Sequence, residues 1–259
     1  MSRLLALLVG MLVAAATGGA RAQPVLPDIL TSRLSMSNVH AIRGARTILV
    51  DAGGKGDLPR LEAALAAARL SWPDIAAVVV THGHSDHTGL AAEIRRRSGA
   101  RILFGRGDVA MAQAGRNDEL QPTNFVATLL KQFAIDPVYE GFQADQVIDG
   151  VTRLEAWGIA GQVRPLPGHT PGSLVVELDD GRSFVGDMVL GGFLGGAWMP
   201  QRAGEHYFHA DRLRNLDNIR TLLRGPARVF YLGHGGPVTR ESVAEAFGTG
   251  ETTPAAPAR

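Results

Sequence analysis

Cysteine is absent from all 259 residues. Its absence excludes a disulfide framework and a lipid-anchored cysteine, and it leaves nitrogen and oxygen to hold any metal. Long apolar runs are also missing. A membrane-spanning helix needs about 20 apolar residues, and the longest stretch, Leu4–Ala16, is shorter than that. That stretch follows Arg3 and leads through small residues to Ala20-Arg21-Ala22, an A-x-A-like cleavage site. Residues 1–22 are therefore expected to be a secretory signal peptide and the mature protein to be periplasmic or secreted. The competing reading, an uncleaved anchor, leaves the A-x-A site without a purpose. No excess of either charge is present: removing residues 1–22 takes two of the 26 basic side chains and no acid, which leaves 24 against 25 acidic ones. A nucleic-acid binder would carry a basic footprint, so none is expected, nor a membrane partner after signal cleavage. The expected partner is a small-molecule substrate. Almost all the basic residues are arginine, which is a composition bias without functional content.

What is present is an alternation of strand-like and helix-like segments. Thr47–Val50 reads as a strand, Leu58–Leu70 as a helix, Ile75–Val80 as a buried strand and Leu90–Arg97 as a helix. Arg101–Phe104 is strand-like, Val109–Phe133 carries a helical pair, and Val147–Gly186 is rich in strands, with Asp179-Asp180-Gly181 as a hairpin turn. The last third reads as a helix at Asp211–Leu223, a strand at Arg228–Leu232 and a helix at Arg240–Phe247. No linker, repeat or charge block interrupts residues 30–247, so one domain over residues 23–247 is expected, followed by a disordered tail over 248–259. Strands followed by helices imply an α/β layered protein with sheets between helical faces.

The strongest chemical candidates follow directly after these strands. Thr81-His82-Gly83-His84-Ser85-Asp86-His87-Thr88-Gly89 sets four ligand-type side chains within six residues. His82 and His84, two apart in an extended segment, point the same way, and imidazole with carboxylate is an ordinary donor set for zinc. A chance polar loop with Asp86 as a helix N-cap explains Asp86 but none of the histidines. His169 in Pro167-Gly168-His169-Thr170-Pro171-Gly172 and His234 in Gly233-His234-Gly235 would each be weak alone, because an isolated histidine is more often a satisfied structural residue. Asp187 follows Gly186 at a strand end, and Asp51 closes the strand at Val50 before Ala52-Gly53-Gly54.

Thr81–Gly89 resembles the H-x-H-x-D-H signature of the metallo-β-lactamase superfamily, and the contexts of His169, Asp187 and His234 are similar to the family's remaining motifs in the same order. The resemblance implies an αββα sandwich, two mixed sheets between helical layers, with two divalent metal ions at one sheet edge, Zn2+ being the expected metal. It implies one ion on His82, His84 and His169, the other on Asp86, His87 and His234, and Asp187 bridging both. Asp51 resembles the family's D-x-G aspartate and is expected to orient the histidine loop by hydrogen bonds, although a turn-forming Asx role explains it equally. His40 is expected to be structural. His206 and His209 read as part of an ordinary loop, while Tyr207 and Trp198 are expected to border the substrate pocket, as the segment after the bridging aspartate commonly does in the family.

The activity implied is hydrolysis: a metal-bridging hydroxide attacks a carbonyl carbon, with Asp86 as the catalytic residue that orients it and shuttles its proton. An aspartate at position 187 resembles hydroxyacylglutathione hydrolases, lactonases and related esterases, whereas β-lactamases of the family usually carry cysteine or serine there. The expectation is therefore an exported dinuclear zinc hydrolase of lactones, esters or thioesters, with β-lactam hydrolysis as the alternative. Glutathione thioesters are the less expected of these, because export separates the chain from cytosolic glutathione and few residues follow Phe247. A reading of another class is an iron-dependent sulfur oxidoreductase of the same fold. The family's di-iron oxidoreductases usually have glutamate where His84 stands.

Overall fold

The computed structural model describes residues 26–131 and 136–248. The expected signal peptide, residues 1–22, and all of the expected tail except Gly248 lie outside the described residues. Among those described, no helix is long and apolar enough to cross a membrane.

The first half of the chain builds a mixed six-stranded sheet in the order β1 (Asp28–Arg33), β2 (Asn38–Arg43), β3 (Thr47–Val50), β4 (Ile75–Val80), β5 (Arg101–Gly105) and β6 (Gln146–Ile148). β1 with β2 and β2 with β3 are antiparallel pairs, whereas β3 through β6 run parallel. The second half builds a second mixed sheet from β7 (Thr152–Arg153), β8 (Gly161–Pro165), β9 (Leu174–Leu178), β10 (Arg182–Phe184), β13 (Val229–Tyr231) and β14 (Val238–Thr239). In it β10 and β13 are parallel neighbours. β11 (Leu190–Phe193) and β12 (Trp198–Gly204) form a separate hairpin.

The period-two alternation of the strands decides the layering. Ile48, Val50, Val79 and Leu103 meet Leu174, Val176 and Phe184 in a core between the sheets. The intervening residues Leu49, Val78, Ile102 and Phe104 turn the other way, towards Leu61 and Leu65 of α1 (Leu58–Ala67) and Ile94 of α3 (Ala91–Ser98). On the far side of the second sheet, Val175, Val185 and Phe230 pack on Ile219, Leu222 and Leu223 of α6 (Arg212–Arg224) and Val243 of α7 (Arg240–Phe247). The result is helix, sheet, sheet, helix, as expected.

Most boundaries agree with the sequence to within one residue. α1 stops at Ala67, earlier than Leu70, because Arg69 takes a left-handed turn at φ 56°. The helical pair after Val109 is α4 (Val109–Ala114) and α5 (Phe125–Lys131), with Gln132 and Phe133 outside the described residues. A one-turn helix, α2 (Ser85–Thr88), stands between β4 and α3.

Topology places the chemistry. β3, β4 and β5 are parallel, so Asp51, His82–His87 and Asp108, which follow their C-terminal ends, share one edge of the first sheet. In the second sheet Asp187 and His234 follow β10 and β13, and His169 sits on the β8–β9 connection. The two groups face each other across the same end of the sandwich.

Candidate metal centre

Each of five histidines uses one ring nitrogen to fix itself and aims the other inward. His82 Nδ1 bonds to Thr81 Oγ1 at 3.0 Å, and Thr81 Oγ1 in turn donates to Asp51 Oδ2 at 3.0 Å. His87 Nδ1 donates to Asp51 Oδ2 at 2.9 Å, His169 Nδ1 to the Phe208 carbonyl at 2.9 Å and His234 Nδ1 to the Met36 carbonyl at 2.9 Å. His84 is reversed: its Nε2 faces Asp118 Oδ1 at 3.3 Å and its Nδ1 points inward. Such orienting bonds select the tautomer that leaves a lone pair towards a metal.

The inward atoms converge. His84 Nδ1 lies 3.2 Å from His169 Nε2, and His87 Nε2 lies 3.4 Å from His234 Nε2. Asp187 Oδ2 is 3.7 Å from both His82 Nε2 and His169 Nε2 and 3.2 Å from His234 Nε2, while its Oδ1 is 3.5 Å from His87 Nε2. Asp86 Oδ2 is 3.2 Å from His234 Nε2. Donors on a tetrahedral cation with bonds of about 2.0–2.1 Å stand roughly 3.3 Å apart, which is the spacing seen. All seven side chains are buried, yet His82 Nε2, Asp86 Oδ2 and Asp187 Oδ1 have no hydrogen-bond partner. Buried polar atoms left unpaired are costly, so this donor set fits divalent cations: His82, His84 and His169 gather on one side, Asp86, His87 and His234 on the other, and Asp187 reaches both.

The electrostatics agree. Burial pushes the His82 and His169 imidazoles well below their ordinary value, which keeps them neutral as ligands must be. Burial would also lower His87 and His234, but Asp187 and Asp86, with Asp51 at His87, outweigh it and raise both well above the usual range. Without a cation, these two protons balance the buried carboxylates. A metal must displace them, so loading is expected to release about two protons per site at pH 7 and to weaken as pH falls. Calorimetric titration in buffers of different ionisation enthalpy measures that release; heats independent of the buffer would show that both rings are already neutral.

Two braces hold the loops in register. Asp51, at φ 66° in the left-handed region, turns its carboxylate to accept from Thr81 N at 2.7 Å as well as from Thr81 Oγ1 and His87. A strained backbone at a site of this kind is held by its surroundings, and the expected orienting role of Asp51 matches these contacts. Asp108 was not singled out by sequence, but its carboxylate accepts from Gly83 N (2.8 Å), Thr170 Oγ1 (2.6 Å) and Gly172 N (2.6 Å), tying the His82–His84 loop to the His169 loop. Like Asp51 and His82 it lies shortly after a strand end, a signal that gains meaning only once β3, β4 and β5 are known to be parallel.

A cavity of about 460 Å³ opens beside the cluster. Its polar lining is His84, Asp86, Asn117, Asp187, His206 and His234; its apolar lining includes Met36, Leu120, Leu130, Leu190, Leu194 and Phe208. Tyr207 borders it as expected. Trp198 does not: it stands 61% exposed at the end of the β11–β12 hairpin, its ring 5.2 Å from that of Phe193 directly across. The reason is local register, because the hairpin contributes its turn residues Leu194 and Gly195 to the cavity. His40 is structural, held between Thr31 Oγ1 and the Leu232 carbonyl and buried against Phe184 and Tyr231. His206 and His209 are not parts of an exposed loop. Both are buried, His209 behind His169 and His206 with its Nε2 3.2 Å from Asp187 Oδ2.

Comparison with known proteins gives a consistent picture. The model of the metallo-beta-lactamase superfamily matches residues 33–234. A hydroxyacylglutathione hydrolase of Anaeromyxobacter dehalogenans is 32% identical over 152 residues, which cover 56% of this chain and 46% of that protein. The match thus spans about half the length of that relative. Among solved structures, a subclass B3 metallo-beta-lactamase of Bradyrhizobium japonicum superposes with a TM-score of 0.59 at 19% identity, covering 90% of this chain and 82% of the other. A metallo-beta-lactamase family protein from Thermus thermophilus gives 0.61 at 22% identity, covering 85% and 77%. At these identities the structural likeness concerns the fold.

Proposed function

The chain belongs to the metallo-beta-lactamase superfamily, and from that premise we propose that it is an exported dinuclear metal-dependent enzyme that hydrolyses uncharged carbonyl substrates, lactones or other esters. The observation that carries this reading is the Asp187 carboxylate reaching towards both halves of the donor cluster. His82, His84 and His169 would hold one ion, Asp86, His87 and His234 the other, and Asp187 would serve both; Zn2+ suits the all-nitrogen and oxygen set. Divalent ions held there supply Lewis acidity and lower the pKa of water, the chemistry that hydrolysis at neutral pH requires.

The chain's own residues supply the remainder. Burial pushes the Asp86 carboxyl up, but His87 and His234 outweigh it and hold the group well below the usual carboxylate range. Asp86 is therefore ionised at neutral pH and can orient a water; once metal had displaced the His87 and His234 protons that hold its carboxyl low, it could also take the water's proton. Asp51 and Asp108 keep the histidine loops fixed, which saves reorganisation during the reaction.

The cavity favours the substrate class. No lysine or arginine side chain is among its described lining residues, and the lining away from the cluster is mostly apolar. A glutathione thioester or a β-lactam brings carboxylates that would find no cation of the protein there, which costs binding. Thioesters enter because of the hydroxyacylglutathione hydrolase relative, and an uncharged thioester would suit the cavity as an ester does. The test is a panel on metal-reconstituted protein: neutral lactones, esters and thioesters, a glutathione thioester and a cephalosporin. Neutral substrates are expected to lead the cephalosporin in kcat/KM by at least ~100-fold, about 2.7 kcal/mol of discrimination. Highest efficiency on either anionic substrate would overturn the assignment. Export rests on Arg3, Leu4–Ala16 and Ala20-Arg21-Ala22. Terminal sequencing of protein from its native host is expected to begin at or near Gln23, and an intact Met1 would refute it.

A further inference from the structure

The donor cluster has an eighth member that the family pattern does not supply. His206 lies on the segment between β12 and α6, which is fastened on two sides. On one, Thr123 donates through its N to the Tyr207 carbonyl (2.9 Å) and through its Oγ1 to the His206 carbonyl (3.0 Å). On the other, Ala210 N and Asp211 N donate to the carbonyls of His169 (2.9 Å) and Gly168 (2.8 Å). The ring is thereby set beside the cluster, edge-on to His169 (centroids 4.9 Å, 87°) and stacked on His234 (5.7 Å, 25°).

The orientation of this ring follows from the Phe208 carbonyl. That oxygen accepts the His169 Nδ1 proton at 2.9 Å and lies 3.3 Å from His206 Nδ1, which also stands 3.3 Å from the Phe208 N–H. A carbonyl oxygen has two lone pairs, so when a cation takes the His206 Nε2 lone pair, the Nδ1 proton finds the same acceptor that holds His169. His206 Nε2 then stands 3.2 Å from Asp187 Oδ2, the same separation that His234 Nε2 shows, and the His169, Asp187 and His206 donors form a group compact enough for one cation.

We propose that His206 is a further metal ligand, adding its Nε2 to the ion held by His82, His84 and His169. The inference rests on the metal-centre reading above. It makes the two ion positions unequal: one is surrounded by four imidazoles and the shared Asp187, the other by two imidazoles and two carboxylates. The imidazole-rich position is the one expected to retain its ion longer against a chelator.

The test uses cobalt(II) in the full chain, read by visible absorption and by chelator competition, with wild type, His206→Ala and His206→Asn compared. Both variants are expected to bind the more tightly held ion about 10–100-fold more weakly and to show an altered visible band. In wild type loaded with cobalt, paramagnetic proton NMR is expected to show six shifted exchangeable imidazole N–H resonances, where five would correspond to the family set alone. This count does not depend on how either variant folds. Five resonances, or variants with unchanged band and affinity, would overturn the proposal. Wild type that takes up no cobalt would overturn the metal reading itself, and this inference with it, before any variant is compared.

Discussion

Asp187→Ala is expected to lower kcat/KM on every hydrolysed substrate by at least ~10³-fold, about 4 kcal/mol of lost transition-state stabilisation, and to reduce bound metal together with activity. No other side chain in the cluster approaches so many partners: its Oδ2 stands within 3.7 Å of His82, His169, His206 and His234, and its Oδ1 within 3.5 Å of His87. Burial pushes this carboxyl up, but His234, His87 and His206 hold it well below the usual range, so it contributes a full negative charge where cations would gather. Removing it strips a donor from both halves at once and leaves positive charge less balanced in a buried setting. Asp187→Asn serves as the shape control. It keeps the volume but loses the charge, so it is expected to resemble alanine more than wild type. Elemental analysis of dialysed protein reads the metal, and a panel substrate reads the rate. Two retained ions with activity within ~10-fold of wild type would remove Asp187 from the centre of the mechanism.

The sequence revealed these donors to different degrees, and the differences have physical causes. His82, His84, Asp86 and His87 lie on one short segment, so their spacing alone declares them. His169, Asp187 and His234 carried weaker signals, a strand end beside glycine in each case, which gained weight from the first motif. Short apolar runs rich in β-branched residues at β3, β4 and β5 were enough to foretell buried strands and layers. His206 was invisible in this way, because its meaning depends on the clamp between Thr123 and the His169 loop and on its approach to Asp187, neither of which is local. Asp108 follows β5 as Asp51 follows β3, and its role was legible only once β3, β4 and β5 were known to be parallel. Trp198 was expected at the cavity because the segment after Asp187 resembles one that borders the pocket in the family, and such a resemblance says nothing of hairpin register.

Gly233→Ala is expected to have an effect of the same order as the loss of Asp187, although it removes no donor. A Cβ built on Gly233 would lie 2.1 Å from Asp187 Oδ1 and 2.6 Å from His87 Cε1. Neither neighbour can retreat cheaply. His87 is held by Asp51 at 2.9 Å, and Asp187 lies in a tight turn that begins at Gly186, itself pressed against Thr81. The backbone of Gly233 cannot retreat either, since its N donates to the Gly186 carbonyl at 2.9 Å and its carbonyl accepts from Asn38 N at 2.7 Å. One methyl group must therefore break the convergence of donors while the hydrophobic layers, which Gly233 does not enter, remain intact. The expected outcome is native circular dichroism, metal content well below wild type and kcat/KM down by ~10³-fold or more. Gly56→Ala, where nothing lies within 4 Å of the added Cβ, is the matched control and is expected to be neutral. If Gly233→Ala binds metal and turns over like that control, the close approach of Gly233 to Asp187 and His87 does not position the site.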